Sequence, residues 1–250
     1  INFSDGTISL KKYDTLKDFS EFYPMIPYQL DLLQQVFTKI RENSSAGKHF
    51  ASGERNLLGA VQYAALEYAE KDLGILIPFQ TFYGHLDQGL DHSVRATIIK
   101  AQSTPTLQSF DVDVLKVLYL IRYLKSVPST VENITTLMLD ELDADRLKLT
   151  KNITAALDRL TKEYLVQRTG LEYLFLTNEE QDINREINHM DIPTSKMQSY
   201  IGEMIYDTVL EMKKYKYVPF AEKKTVAYDF DCAKWIDESA RGNATAEIGI

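Results

Sequence analysis

The run Val112-Asp-Val-Leu-Lys-Val-Leu-Tyr-Leu-Ile-Arg-Tyr-Leu124 is apolar on nearly every face of a helix. A helix without a polar side must lie at the centre of its fold, so its neighbours in sequence have to supply the apolar faces that cover it. Residues 101–110, Ala-Gln-Ser-Thr-Pro-Thr-Leu-Gln-Ser-Phe, precede it as the clearest linker in the chain, and a domain boundary is expected there. After it, Pro128 with Ser129 or Thr130 starts a short helix bearing Val131, Ile134, Leu137 and Met138. The acidic turn Asp140–Asp143 leads to a third helix with Ile153, Ala156, Leu157 and Leu160 facing inward. Leu165–Arg168 and Leu171–Leu176 flank Thr169-Gly170 as the two arms of a β-hairpin. Three helices followed by a hairpin is the winged-helix order, a relative of the helix-turn-helix.

In a DNA-binding version of that arrangement the third helix enters the major groove. Its outward residues would include Lys148, Lys151, Asn152, Thr154, Asp158 and Lys162, with Arg168 on the hairpin. Such side chains reach phosphates or base edges. Yet fourteen acidic residues outnumber ten basic ones over 111–190, a net of -4. Neutralisation of the DNA backbone dominates non-specific affinity, so this balance favours a protein-contact role over direct DNA binding.

Upstream, Phe22-Tyr-Pro-Met-Ile-Pro-Tyr-Gln-Leu-Asp-Leu-Leu33 opens a helix at Pro27, whose fixed φ suits a first helical position. Leu30, Leu33, Phe37 and Ile40 form its apolar face, and Asn43–Gly47 ends it. Ser52 is an N-cap for a second helix with Glu54 in its first turn and Leu57, Leu58, Val61, Ala65 and Tyr68 expected on its buried face. Arg55 in the same turn opposes the helix dipole. Backbone donors and an arginine at a helix start suit a phosphate; the simpler reading is a surface pair with Glu54.

Phe22-Tyr-Pro-Met-Ile-Pro-Tyr-Gln, Gly47-Lys-His-Phe and Ser52-Gly-Glu-Arg-Asn-Leu-Leu resemble the large P-loop ATPases of bacterial BREX phage-defence systems, the BrxC or PglY family. The resemblance is most specific over about residues 20–70 and continues through about residue 230. It implies an N-terminal hairpin and connector over 1–20 and an AAA+-like helical lid over 21–105. A winged helix over 106–190 and a C-terminal helix opening a further α/β domain over 191–250 complete the order. The fold class expected is therefore mainly α with small β hairpins. The resemblance also puts Arg55, with Glu54 and Ser52, where a lid arginine senses nucleotide phosphates.

No Gly-x-x-x-x-Gly-Lys-Ser/Thr loop occurs in the 250 residues, so this piece is expected to be non-catalytic and to hold no cofactor. ATP and magnesium would belong to the full-length protein. The expected partners are the upstream ATPase core, other defence subunits, and DNA. Two other readings stand beside this one: a winged-helix transcriptional regulator and a structural scaffold.

Composition sets outer bounds. The chain is 44% hydrophobic and 26% charged, which suits a globular protein, and its formal charge of -8 advertises neither nucleic acid nor an anionic membrane. One cysteine, Cys232, excludes an internal disulfide framework and suits a reducing, cytoplasmic setting. The apolar runs fall well short of the roughly 18 residues that span a bilayer. His85, Asp87, Asp91 and His92 lie close in sequence but without a recognised ligand spacing, so no metal site is read there.

The start at Ile1 and the apolar end Glu247-Ile-Gly-Ile suggest a piece of a longer protein. Residues 1–10 alternate around Asp5-Gly6 as a hairpin, and 11–21 form a polar connector. Toward the other end, Asn178 or Thr177 caps a helix through Ile183 and Ile187. Thr194 caps another whose Met197, Ile201, Ile205, Val209 and Met212 would be core. Strands are expected at Tyr215–Phe220 and Thr225–Phe230, with lysines guarding an edge.

Overall fold

A computed structural model describes residues 3, 10–43, 53–87, 90–209, 211, 214–217 and 228–231. In chain order the helices are α1 (Leu16–Phe22), α2 (Pro27–Asn43), α3 (Gly53–Glu67), α4 (Phe82–Leu86) and α5 (His92–Ser103). Next come α6 (Ser109–Ile121), α7 (Val131–Leu137), α8 (Arg146–Lys162), β1 (Val166–Thr169) and β2 (Glu172–Phe175). The last elements are α9 (Asn178–His189), α10 (Thr194–Glu203) with a π-helical continuation Met204–Val209, β3 (Lys214–Tyr217) and β4 (Tyr228–Asp231). The protein is mainly α-helical with small antiparallel hairpins. Two compact units divide it, Ile1–Asn188 and His189–Ile250.

In the first unit α6 is the central element. Val114, Leu115 and Val117 are fully buried, and Leu118, Tyr119, Leu120 and Ile121 nearly so. Each such side chain stabilises the fold by about 1.5–3 kcal/mol relative to exposure. Against α6 pack α5, α7, α8, β2 and the short 3-10 turn Phe79–Thr81. Ile153, Ala156, Leu157 and Leu160 of α8 have no exposed surface, so the 3.6-residue pattern in the sequence located that stripe correctly. Thr130 caps α7, its side chain accepting from the Asn133 N–H at 3.3 Å, and Asp145 caps α8 through the Lys148 N–H at 3.0 Å.

β1 and β2 pair with Thr169 opposite Glu172, and Gly170 takes φ +63° in the intervening turn, a conformation that costs glycine little. Thr130 adds a third short rung, bridging to Glu172, and the Tyr173 N–H donates to the Ser129 carbonyl at 3.0 Å. One apolar core runs from α2 through α6 to β2, so the short connection between α5 and α6 joins two helices of the same core.

Several expectations change. The proposed hairpin around Asp5-Gly6 lies outside the described residues. The polar stretch 11–21 holds α1, because Thr15 and Asp18 form a reciprocal capping box that satisfies its first turn. Among the described residues of α3 those fully buried are Ala60 and Ala64, whereas Leu58 is 71% exposed, Ala65 is exposed, and Leu57, Val61 and Tyr68 are half-buried. Small side chains win that position because α3 approaches its neighbours closely. A Cβ on Gly59 would stand 2.6 Å from Cε1 of His85, and one on Gly84 of α4 would stand 2.6 Å from Cζ of Tyr63. The larger side chains Leu57, Leu58 and Val61 instead line an apolar groove of about 600 Å³.

α9 also differs. Thr177 is its cap, with the Thr177 N–H donating to Glu180 at 2.8 Å, but Ile183 and Ile187 are exposed and Gln181 is the buried residue. In the second unit Met197, Ile201 and Val209 are exposed rather than core. Thr194 is the first helical residue there, preceded by Pro193 as the cap position. β3 and β4 overlap the strands expected, and Met212 lies outside the described residues.

Candidate functional site

Two surfaces carry the sequence-derived candidates, and a polar clamp connects the helices behind them. The first surface is the start of α3. Glu54 and Arg55 occupy its first helical turn; their side chains, and Ser52 altogether, fall outside the described residues. What is described of α3 is its seam with α4, where Gly59 admits the His85 ring. Burial pushes the His85 imidazole below its usual pKa, partly countered by a hydrogen bond to the Asn56 backbone. The neutral ring is therefore the form that fits this seam.

The clamp joins α2 to the α7–α8 region. Gln29, fully buried, accepts from the Ile26 N–H at 2.9 Å and donates to the Ile77 carbonyl at 2.6 Å. The segment it holds then pairs with the turn after α7. The Leu76 N–H donates to the Asp140 carbonyl at 2.7 Å, and the Leu142 N–H to the Gly74 carbonyl at 2.9 Å, around a bridge between Ile75 and Glu141. Tyr28, also fully buried, donates its hydroxyl to the Thr136 carbonyl at 3.4 Å, and burial pushes its pKa up, so it stays a donor. Arg146, first residue of α8, donates to the Thr136 hydroxyl at 3.2 Å. Farther along α2, Ser126 donates to Gln35 at 3.1 Å. Sequence reasoning missed this clamp. Its one visible signal was the apolar run Ile75–Phe82 broken by Pro78, which has the length of a strand fragment.

The second surface is the outer side of α8. Lys148, Lys151, Asn152 and Lys162 are all exposed, opposite the buried stripe, and none of their side chains has a hydrogen-bond or ion-pair partner among the described residues. Lys148 and Lys162 are separated by about 21 Å along the axis at 1.5 Å per residue. Arg159 on the same helix turns inward instead. Its Nε and a terminal nitrogen donate to the two oxygens of fully buried Asp111 at 2.7 and 2.6 Å, tying the end of α8 to the start of α6. Arg168 is exposed on β1, donates from Nε to the Gly170 carbonyl at 3.1 Å and lies 5.7 Å from the Tyr173 ring centroid. The structure thus groups the three lysines and Asn152 on one helix face and leaves Arg168 engaged with its own hairpin.

His85 and Asp87 do not converge with His92 and Asp91 into a cluster: His85 is taken up by the α3 seam and Asp87 pairs with Arg95 at 3.7 Å. Among the described residues no group of three or more His, Cys, Asp or Glu side chains could hold a metal ion, and no helix is long and apolar enough to cross a membrane. In the second unit the register of β3 and β4 sets Lys214 opposite Asp231 and Lys216 opposite Asp229.

No solved structure matches the chain. Residues 190–250 match the family described as "BREX ATP-binding protein BrxC 4th domain with six-stranded beta sheet", which indicates a role in a BREX defence system. That match lies outside the 20–70 stretch whose motifs carry the sequence resemblance, so two separate parts of the chain point the same way. Over residues 190–250 the chain is thus similar to the fourth domain of BrxC, which supports a BrxC-like assignment.

Proposed function

We propose that this chain is a coupling segment of a BREX defence ATPase, without catalysis of its own, that relays nucleotide state from a lid to a winged helix. In this reading α2–α5 are the lid, α6–β2 with the Thr130 rung are the winged helix, and the face of α8 is the output toward partner subunits or DNA. The nucleotide, with its magnesium, is held by a P-loop core elsewhere in the parent protein. Arg55, at the start of α3, contacts its phosphates.

The observation that carries the reading is the clamp between residues 74–77 and 140–142, together with Tyr28, Gln29 and Gln35. A relay needs its input and output helices to move as one body. A flexible linker would dissipate a displacement, whereas paired backbone inside a continuous core transmits it, because packed interiors deform little. The absence of a phosphate loop from the sequence accords with a segment that responds to nucleotide rather than hydrolysing it.

The test uses the parent protein with its nucleotide-binding core. Arg55→Ala should lower ATP turnover about tenfold or more, the scale of one charge-assisted contact to phosphate of about 1.5–3 kcal/mol. Circular dichroism should stay unchanged. Turnover equal to that of the parent rejects the sensing role.

A further inference from the structure

We infer that His85 of α4 is a positioning residue that acts through the first turns of α3, fixing the backbone on which Arg55 is carried. The inference deepens the proposed nucleotide sensing by naming what aims the arginine, and it rests on Arg55 contacting phosphate.

Glycine is a poor residue for a helix interior, yet Gly59 stands midway along α3. What its missing side chain admits is an imidazole: a Cβ there would stand 2.6 Å from Cε1 and 3.0 Å from Nε2 of His85. The ring also hydrogen-bonds the Asn56 backbone. That bond favours the protonated imidazole, so the ring N–H is the donor and the Asn56 carbonyl the acceptor. Burial acts the other way and more strongly, which keeps the ring neutral. A neutral imidazole has a single N–H, and here it is committed to that carbonyl.

Arg55 stands one residue before Asn56 and four before Gly59. Helical positions four apart share a face, with their Cβ atoms about 5–6 Å apart. The imidazole takes the place of a side chain at 59, so it lies one turn from Arg55 on the same face of α3. α4 is itself anchored. Phe82 and Leu86 have no exposed surface, and Tyr83 meets the Tyr119 ring of α6 edge-on at 6.1 Å. A second interlock repeats the device in reverse, with Tyr63 of α3 against Gly84 of α4. Together the two contacts set the rotation and height of α3 against an element fixed in the core. The other described histidines, His92 and His189, are exposed, so this contact sets His85 apart.

The experiment measures kcat/KM for ATP in the parent protein with its nucleotide-binding core. His85→Phe keeps an aromatic ring but has no donor, and it should lower kcat/KM about three- to tenfold, the range of one hydrogen bond. His85→Asn or His85→Gln, whose amides offer an N–H near the reach of Nδ1 or Nε2, should restore it to within about twofold. In an Arg55→Ala background His85→Phe should cost nothing further, because a residue acting through another is silent once the other is gone. Should His85→Phe fail to give the parent's circular dichroism spectrum, His85→Leu, smaller and equally without a donor, takes its place.

An unchanged kcat/KM in His85→Phe overturns the inference. So does a loss that persists in full without Arg55, which would mean that the histidine acts elsewhere. A loss that neither amide restores overturns it as well, since the shape of the ring and not its N–H would then be the cause. If Arg55→Ala alone leaves turnover at the parent's value, the sensing role falls and this inference with it. If Arg55→Ala lowers turnover and His85→Phe does not, the part given to His85 falls alone.

Discussion

α8 and α10 are amphipathic helices with similar sequence signatures and opposite fates. α8 places Ile153, Ala156, Leu157 and Leu160 in complete burial and turns its lysines outward. α10 carries Met197 and Ile201, continued by Met204, at the same helical spacing, yet these side chains are 46%, 39% and 45% exposed. Periodicity therefore states which face of a helix is apolar; whether that face is covered depends on elements far away in sequence. α3 lies between these extremes. Ala60 and Ala64 are covered, and Leu57, Leu58 and Val61 line an open groove.

The strongest way to break the covered case is to attack the polar tie that holds α8 in place. Arg159→Ala would leave Asp111 fully buried with its principal charge partner gone, and removing one member of a buried pair costs about 3–5 kcal/mol. Denaturant unfolding followed by far-UV circular dichroism should show a large fall in midpoint at constant slope. A loss below about 1 kcal/mol, the range of exposed pairs, would mean that this tie is a surface contact after all.

How much of this was legible beforehand follows the same division. The helix–helix–helix–hairpin succession and the buried stripe of α8 could be read because each depends on local period and turn chemistry, as at Gly170. The outward direction of Lys148, Lys151 and Lys162 followed from that period as well. Their lack of partners did not, since ion pairing is settled between segments distant in sequence.

The clamp was illegible for a related reason. Gln29 and Gln181 look like surface glutamines, and only the approach of the Ile77 carbonyl, or of Thr97 and the Leu176 carbonyl, makes them buried anchors. On α3, hydropathy favoured leucines over alanines, while the close approach to α4 favoured the reverse. The Arg55 site was proposed from resemblance and helix-terminus electrostatics, and its side-chain geometry lies outside the described residues.

The intermediate case can be sharpened at the α3–α4 seam. Gly59→Ala adds a methyl 2.6 Å from the His85 ring, so the ring or the helix must shift. Overpacking of this kind costs about 1–3 kcal/mol. His85→Ala in the same background should recover part of the loss; an additive double variant would show that the two residues do not compete for space.

A smaller effect concerns how α9 is held. Burial raises the Glu180 carboxyl's pKa, but the Thr177 N–H and Arg122, at 2.6 Å, outweigh it and hold it below the usual carboxylate value. A depressed folded-state pKa contributes stability that is present above the unfolded-state value, near 4.3, and is lost as pH falls through the folded one. Glu180→Gln should therefore reduce stability at pH 7 and flatten part of the acid limb of the stability curve. The pair is 40% exposed on the glutamate side, so the change belongs to the screened range of about 0.2–1 kcal/mol. Identical acid limbs in the two proteins would assign the acid sensitivity to other carboxylates.

The smallest effect tests the uncovered helix. Met197→Ser on α10 removes an apolar side chain that is 46% exposed, so little transfer free energy is at stake, and the change should stay within about 0.5 kcal/mol. The same kind of substitution on α8, Leu157→Ser, removes a side chain with no exposed surface and buries a hydroxyl in its place; it should cost several-fold more. If both cost the same few kcal/mol, the apolar stripe of α10 is covered in solution, and the contrast between the two helices disappears. A difference of the expected size would establish that identical periodicity encodes a core in one helix and an open face in the other.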